Sequence, residues 1–259
     1  MERLVNEKPS GLSATALRTW GMLFLALGAV GRGILQNRVL GLGGITDQKM
    51  LEAVLSGDGA MFIAALSLVL QAVETCAVPI FCLLLVEGFT HTANFTHYLL
   101  RVLGTGMACE IPFNLALSGK LLDFDTRNPV IGMALCLIVL YFFKRYAGRS
   151  GINTAIKICV TLAAIVWAEM LHIEHGTCCV VLTSVLWAFR EKPLYRNMAG
   201  CLAGAVCTVI SPFYLACPMG FLALHFYRGE RGSDNRLVNY LTYPLILLVV
   251  WALGVFAAC

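Results

Sequence analysis

The sequence predicts an all-α fold, a polytopic transmembrane helix bundle of about nine spans (between about eight and ten). Three observations point there. Of 259 residues, 59% are hydrophobic and only 13% charged, and mean hydropathy is +0.78. A soluble domain carries about 25% charged residues, so this chain lacks the polar shell that water demands. Apolar segments long enough to cross a bilayer follow one another with short polar joints, and the basic residues of the second half fall in alternate joints. The chain reads as one domain, residues 1–259.

The segments follow in order. No cleavable leader is evident, because the polar start from Met1 to Ser10 leads into an uneven apolar stretch. Leu12 to Leu35 is the first span, closely bracketed by Arg18 and Arg32. Gly59 to Gly88 is long enough for one tilted crossing or two short ones, with Gln71, Glu74 and Pro79 interrupting its middle. Tyr98 to Leu117, Pro129 to Phe143 and Ile152 to Leu171 follow. Gly176 to Phe189, Met198 to Phe213, the short Pro218 to Tyr227, and Leu237 to Ala258 complete the set.

The positive-inside rule orients these spans. Lys144, Arg145, Arg149 and Lys157 precede a joint without Lys or Arg, His172 to His175. Arg190, Lys192 and Arg196 precede another, Ser211 to Cys217, before Arg228, Arg231 and Arg236. With Gly59 to Gly88 as one crossing, Arg3, Lys8 and Arg18 share the cytoplasmic side. Fourteen of the 19 Lys and Arg then lie inside, leaving Arg32, Arg38, Lys49, Lys120 and Arg127 outside. The expectation is a multi-pass protein of the plasma membrane with its N-terminus in the cytoplasm.

Several function classes are excluded. No basic run of five residues exists, so nucleic acid is not an expected partner. The 11 cysteines are not a disulfide framework. Cys76, Cys82, Cys109, Cys136, Cys159, Cys201 and Cys207 sit in apolar segments, where a thiol acts as a small hydrophobe. No Walker loop, dinucleotide fingerprint or nucleophile elbow is present.

Ionisable residues inside spans are expensive and mark candidate sites. In Val86-Glu87-Gly88-Phe89-Thr90-His91-Thr92-Ala93-Asn94, a continuing helix would put Glu87, His91 and Asn94 on one face. A carboxylate beside an imidazole orients it for proton transfer. Alternatively the helix stops at Gly88 and the rest is a wetted loop. In Cys109-Glu110-Ile111-Pro112-Phe113-Asn114, Pro112 frees a carbonyl, and Glu110 should face the bundle interior, where Arg101 is a candidate partner. Glu169, His172, Glu174 and His175 surround a turn. His172 and His175 with Cys178-Cys179 lack a supported ligand spacing, so these read as interfacial polar residues and no metal is expected.

The run from Val78 to Asn94, with Pro79-Ile80-Phe81, Val86-Glu87-Gly88-Phe89 and His91-Thr92-Ala93-Asn94, resembles the FPIF-x-F-L-L-V-E-G-F-x-H-T-x-N signature of the TraX family. Tyr98-Leu99-Leu100-Arg101 and Glu110-Ile111-Pro112-Phe113-Asn114 continue it in order, and Asn128 also has a counterpart. The strong match covers residues 78–145. The resemblance implies a membrane acyltransferase acting on an amine or a peptide N-terminus, such as that of pilin, with acetyl-CoA or another acyl-CoA as co-substrate. It marks Glu87, His91, Arg101 and Glu110 as catalytic candidates, and Asn94, Asn114 and Asn128 as candidates for binding substrate or acyl donor. His91 with Glu87 would serve as base, and Arg101 or Asn128 would stabilise the oxyanion.

Two departures stand out. Typical members carry Asp-His in the first span, where this chain has Gly28-Ala29, and Tyr-Pro-x-His near the C-terminus, where it has Tyr243-Pro244-Leu245-Ile246. A non-catalytic membrane scaffold is therefore a competing expectation. A small-solute permease is a third, suggested by Glu and Pro within spans but without a repeat between the halves.

Overall fold

The structure, a computed structural model, describes residues 11–41, 61–148, 150–230, 232 and 236–257, with side chains in the last stretch described from 240 to 256. Arg3, Lys8, Lys49, Arg149, Arg231 and the side chain of Arg236 lie outside the described residues. Those described form an all-α bundle. Helix α1 (Ala14–Ala29) begins where the Ser13 hydroxyl accepts a bond from Ala16 N, and continues as a π-helical segment, Val30–Val39. Then come α2 (Met61–Glu74), α3 (Ala77–Thr90), α4 (Phe95–Leu117), α5 (Pro129–Arg145), α6 (Gly151–Met170), α7 (Gly176–Ala188) and α8 (Pro193–Val206). Two 3₁₀ segments, Cys207–Val209 and Pro212–Met219, lead into α9 (Gly220–His225) and α10 (Arg236–Ala257).

Most boundaries agree with the expected spans. The stretch expected from Met198 to Phe213 differs: α8 starts at Pro193, whose missing N–H is no loss at a helix start, and ends at Val206. Pro212 then opens the second 3₁₀ segment. Ala14–Val39, Met61–Thr90 and Gly151–Met170 are long and apolar enough to cross a membrane. Gly176–Ala188, Pro212–His225 and Tyr240–Phe256 are apolar but shorter, and the count of nine spans is not confirmed.

α2 and α3 run on as one long apolar helical stretch, Met61–Thr90, with a break at Thr75 and Cys76. Positions in α1 and its π-helical continuation meet this pair in antiparallel order: Gly21 against Phe81, Gly28 against Glu74, Gly31 against Leu70. At the break, Pro79 has no N–H to offer the Thr75 carbonyl, which takes Val78 N at 3.2 Å instead. The Thr75 hydroxyl donates to Ala72 O (2.7 Å) and Phe213 O (3.1 Å), and Cys76 Sγ to Ala216 O (3.2 Å). The Thr75 and Cys76 side chains at the break thus supply donors to carbonyls of the 3₁₀ segment, where water is scarce.

Two groups of joints mark the two ends. Leu12 pairs with Tyr227, and the Tyr227 hydroxyl reaches Glu87. At the other end Arg127 pairs with Ile173, and Asn37 Nδ2 donates to Leu117 O. The core between them packs Ile80 and Leu83 against Leu137, Leu140, Leu182, Leu186 and Leu224. A smaller cluster joins Ala29, Cys109, Phe113, Tyr243 and Leu247. The buried thiols Cys82, Cys136, Cys178 and Cys217 are free. Large apolar side chains also face outward, with Val209 88%, Phe256 79% and Phe62 76% exposed. Only Ala164 and Ala168 of α6 are buried. Such an exterior suits hydrocarbon: this is a membrane protein.

Candidate functional site

Helix α3 ends at Thr90, beyond Gly88, and His91 caps it. Asn94 starts the next helix: its side-chain oxygen accepts His97 N at 3.2 Å. Glu87, His91 and Asn94 therefore do not share one helical face. His91 Nδ1 lies 2.8 Å from the backbone oxygen of Glu87 and 3.2 Å from the Thr90 hydroxyl. The Glu87 carboxylate instead accepts a hydrogen bond from the Tyr227 hydroxyl. Burial, reinforced by that bond, keeps the Tyr227 hydroxyl protonated well above its ordinary range. Arg101 is exposed, its Nε donating to His97 O at 3.1 Å.

Glu110 does not pair with Arg101. The two are about 13 Å apart along α4 and half a turn around it, so they point in opposite directions. Arg127 is the partner, 3.7 Å from Glu110 Oε1. Asn128 holds the other carboxylate oxygen through Nδ2, which also donates to Gly106 O at 2.8 Å. Its Oδ1 accepts Val130 N at 3.0 Å and caps α5. Glu110 and Asn128 together thus fix the start of α5 against α4. Asn114 is buried and its Nδ2 lacks a hydrogen-bond partner.

A second polar centre gathers residues that the sequence left scattered. Arg32 forms an ion pair with Glu174, and its Nε lies 3.4 Å from Gln71 Oε1. Gln71 Nε2 bonds Gln36 Oε1 (2.9 Å) and Ser67 Oγ (3.0 Å), and Ser67 donates to Gly31 O (2.8 Å). His175, at positive φ, meets the Tyr214 hydroxyl through Nδ1 at 2.9 Å. Its Nε2 is buried without a hydrogen-bond partner, 4.0 Å from Glu74 Oε1. Glu174 and His175 are therefore not wetted interfacial residues. The turn carrying them dips inward to meet Arg32 and Glu74. The signal was present at Gln71 and Glu74, two polar residues within a long apolar segment, but not their partners. Among the described residues, Glu74, Glu174 and His175 are the metal-capable group whose ligand atoms converge; His172, Cys178 and Cys179 do not join it.

A cavity of about 710 Å³ runs from the Glu87–Arg101 region to His175 of the second centre. Glu87, His91, Asn94 and Arg101 line its exposed mouth; Tyr98, Tyr240 and Tyr243 line its walls; His175 lies within it. Glu110, Asn114 and Asn128 do not line it, but the adjoining Pro129 and Val130 do.

The sequence model of the family described as "TraX protein" matches residues 53–254, most of the chain and every element lining this cavity except α1. The chain belongs to the TraX family. This TraX-family chain is also similar to a Dichelobacter nodosus protein described as "Probable fimbrial assembly protein FimC, serogroup H1", at 26% identity over 210 residues, 72% of this chain and 83% of the relative. No solved structure matches it. Within the TraX-like signature, Gly88 now has a physical role: a Cβ there would lie 2.6 Å from the Tyr98 hydroxyl, so glycine lets α4 close over the cavity mouth.

Proposed function

We propose that this TraX-family protein is a membrane N-acyltransferase that moves an acyl group from acetyl-CoA or a related acyl-CoA to an amine or a peptide N-terminus. The observation that carries this reading is the convergence of Glu87, His91, Asn94 and Arg101, from two helices and their joint, on the mouth of one cavity. The family and the fimbrial-assembly relative favour a pilin-like peptide as acceptor. The protein resides in the plasma membrane with its N-terminus inside, as the basic joints favour, so the mouth opens to the cytoplasm where acyl-CoA is available.

In this reading the neutral acceptor amine attacks the thioester carbonyl, and His91 takes the proton that its nitrogen sheds as the bond forms. Arg101 stabilises the oxyanion, and Asn94 helps to hold the donor. A C–N bond forms, the C–S bond breaks, and the departing thiolate takes the proton held by His91. The carboxylate of Glu87, tied to Tyr227, anchors α3 to the joint before α10, while Glu110 and Asn128 hold the α5 wall.

The test is transfer from acetyl-CoA by purified full-length protein, read by mass spectrometry over a panel of amines and peptides. Transfer lost in His91→Ala and Arg101→Ala is expected. No turnover across the panel would overturn the reading. One observation favours a non-catalytic scaffold instead: Ile246, where the family shows His, packs into the apolar cluster around Phe113 and Leu247.

A further inference from the structure

The second polar centre lies within the membrane bundle, and the acyl-transfer steps above do not use it. Two carboxylates, Glu74 and Glu174, meet there, and when both are ionised Arg32 offsets one of them. Among the described residues that leaves a surplus negative charge, which in a low-dielectric interior calls for a cation or a proton. The Glu74 side chain is 9% exposed and that of His175 11%. His175 Nε2 has no hydrogen-bond partner and, at 4.0 Å, stands too far from Glu74 Oε1 to bond it directly. His175 also lines the cavity, so its ring borders the space that opens at the mouth, while Glu74 and Glu174 do not line it.

The spacing distinguishes two kinds of cation. A nitrogen donating to both atoms at about 2.9 Å would span the 4.0 Å gap with an angle of about 90°, within reach of a tetrahedral ammonium. A metal at about 2.1 Å from both would need about 145°, far from tetrahedral. The Arg32 guanidinium on Glu174 further disfavours a divalent ion. The site requires the tautomer in which Nδ1–H donates to the Tyr214 oxygen, which leaves the Nε2 lone pair for the gap. The approach past Met22, Leu25, Val78, Val130 and Tyr243 is apolar and suits the stem of an amine.

We propose that Glu74 and His175, with Glu174 behind them, form a binding site for a primary ammonium group at the inner end of the cavity. The inference does not depend on the acyl-transfer reading: an ammonium held at this end is distinct from the amine that His91 deprotonates at the mouth. A bound ammonium donates one N–H to Glu74 Oε1 and a second to His175 Nε2.

The probe is leucinamide, compared with N-acetyl-leucinamide, binding to full-length protein in lipid nanodiscs by calorimetry with no acyl donor present. Leucinamide should bind at least tenfold more tightly than its acetylated form, and Glu74→Gln or His175→Gln should weaken it at least tenfold. The two ligands differ only in the amine, so the wild-type comparison stands even if a variant fails to fold. Equal affinities, no binding of either ligand, or binding unchanged in both folded variants would overturn the proposal. Stoichiometric zinc binding lost in His175→Gln would also overturn it, by assigning the cluster to a metal. Protein that binds leucinamide but transfers nothing keeps the site and removes the enzyme reading; transfer without this discrimination does the reverse.

Discussion

Gly28 and Glu74 share one position: a Cβ on Gly28 would lie 2.0 Å from Glu74 Oε2 and 2.4 Å from Glu74 Cβ. The first helix has no side chain where the TraX-like pattern shows an acid, and a carboxylate from the neighbouring α2 fills the space. The polar character of that level of the bundle is kept by a different helix.

Gly28→Ala should therefore cost about 1–3 kcal/mol, the range for overpacking a core. Chemical unfolding in detergent measures it. The double variant Gly28→Ala/Glu74→Ala should be less destabilised than the sum of its parts, by about 0.5–3 kcal/mol. Strict additivity would mean that the two residues do not compete for space.

Arg32→Met removes one partner of an ion pair whose Glu174 side chain is 6% exposed. Leaving that carboxylate uncompensated should cost about 3–5 kcal/mol, while Arg32→Met/Glu174→Leu should recover most of the loss. The same unfolding measurement decides; a double variant no better than Arg32→Met would contradict the pairing.

Tyr227 sets a pH dependence. Its folded pKa is raised, by burial first and its bond to Glu87 second. The stability it contributes is thus fully present below the unfolded tyrosine value of about 10 and is lost as pH rises toward the folded one. Wild-type protein should lose stability between about pH 9 and 11 more steeply than Tyr227→Phe, as followed by thermal melting. Parallel profiles would sink the assignment.

Orientation can be read with reporter fusions. Alkaline phosphatase placed after Asp125 should be active, and after Gly148 inactive, if the mouth faces the cytoplasm. The opposite pattern would reverse the bundle and remove acyl-CoA from the proposed entrance.

The helices were legible because lipid imposes a simple rule: each crossing must satisfy its own backbone and present apolar side chains. Pro129 after Asn128 marks the start of α5 for the same local reason that Asn94 marks the start of α4. The π-helical turn of Val30–Val39 and the inward path of Pro212–Met219 carry no such local mark; tertiary partners at Thr75 and Cys76 hold the latter.

Among the candidate residues, Glu87, His91, Asn94 and Arg101 were found together because a short joint keeps them close whatever the wider packing. The link between Glu110 and Arg127 was missed because a long loop separates them in sequence, and helical rotation turned the nearer Arg101 away. The sequence alone determined an all-helical membrane chain, its family resemblance and one polar mouth, since these rest on composition and local spacing. Only the tertiary structure brought Arg32, Glu74, Glu174 and His175 into one buried centre. Scattered ionisable groups in hydrocarbon lower their energy by meeting, and which ones meet is decided by how the helices pack.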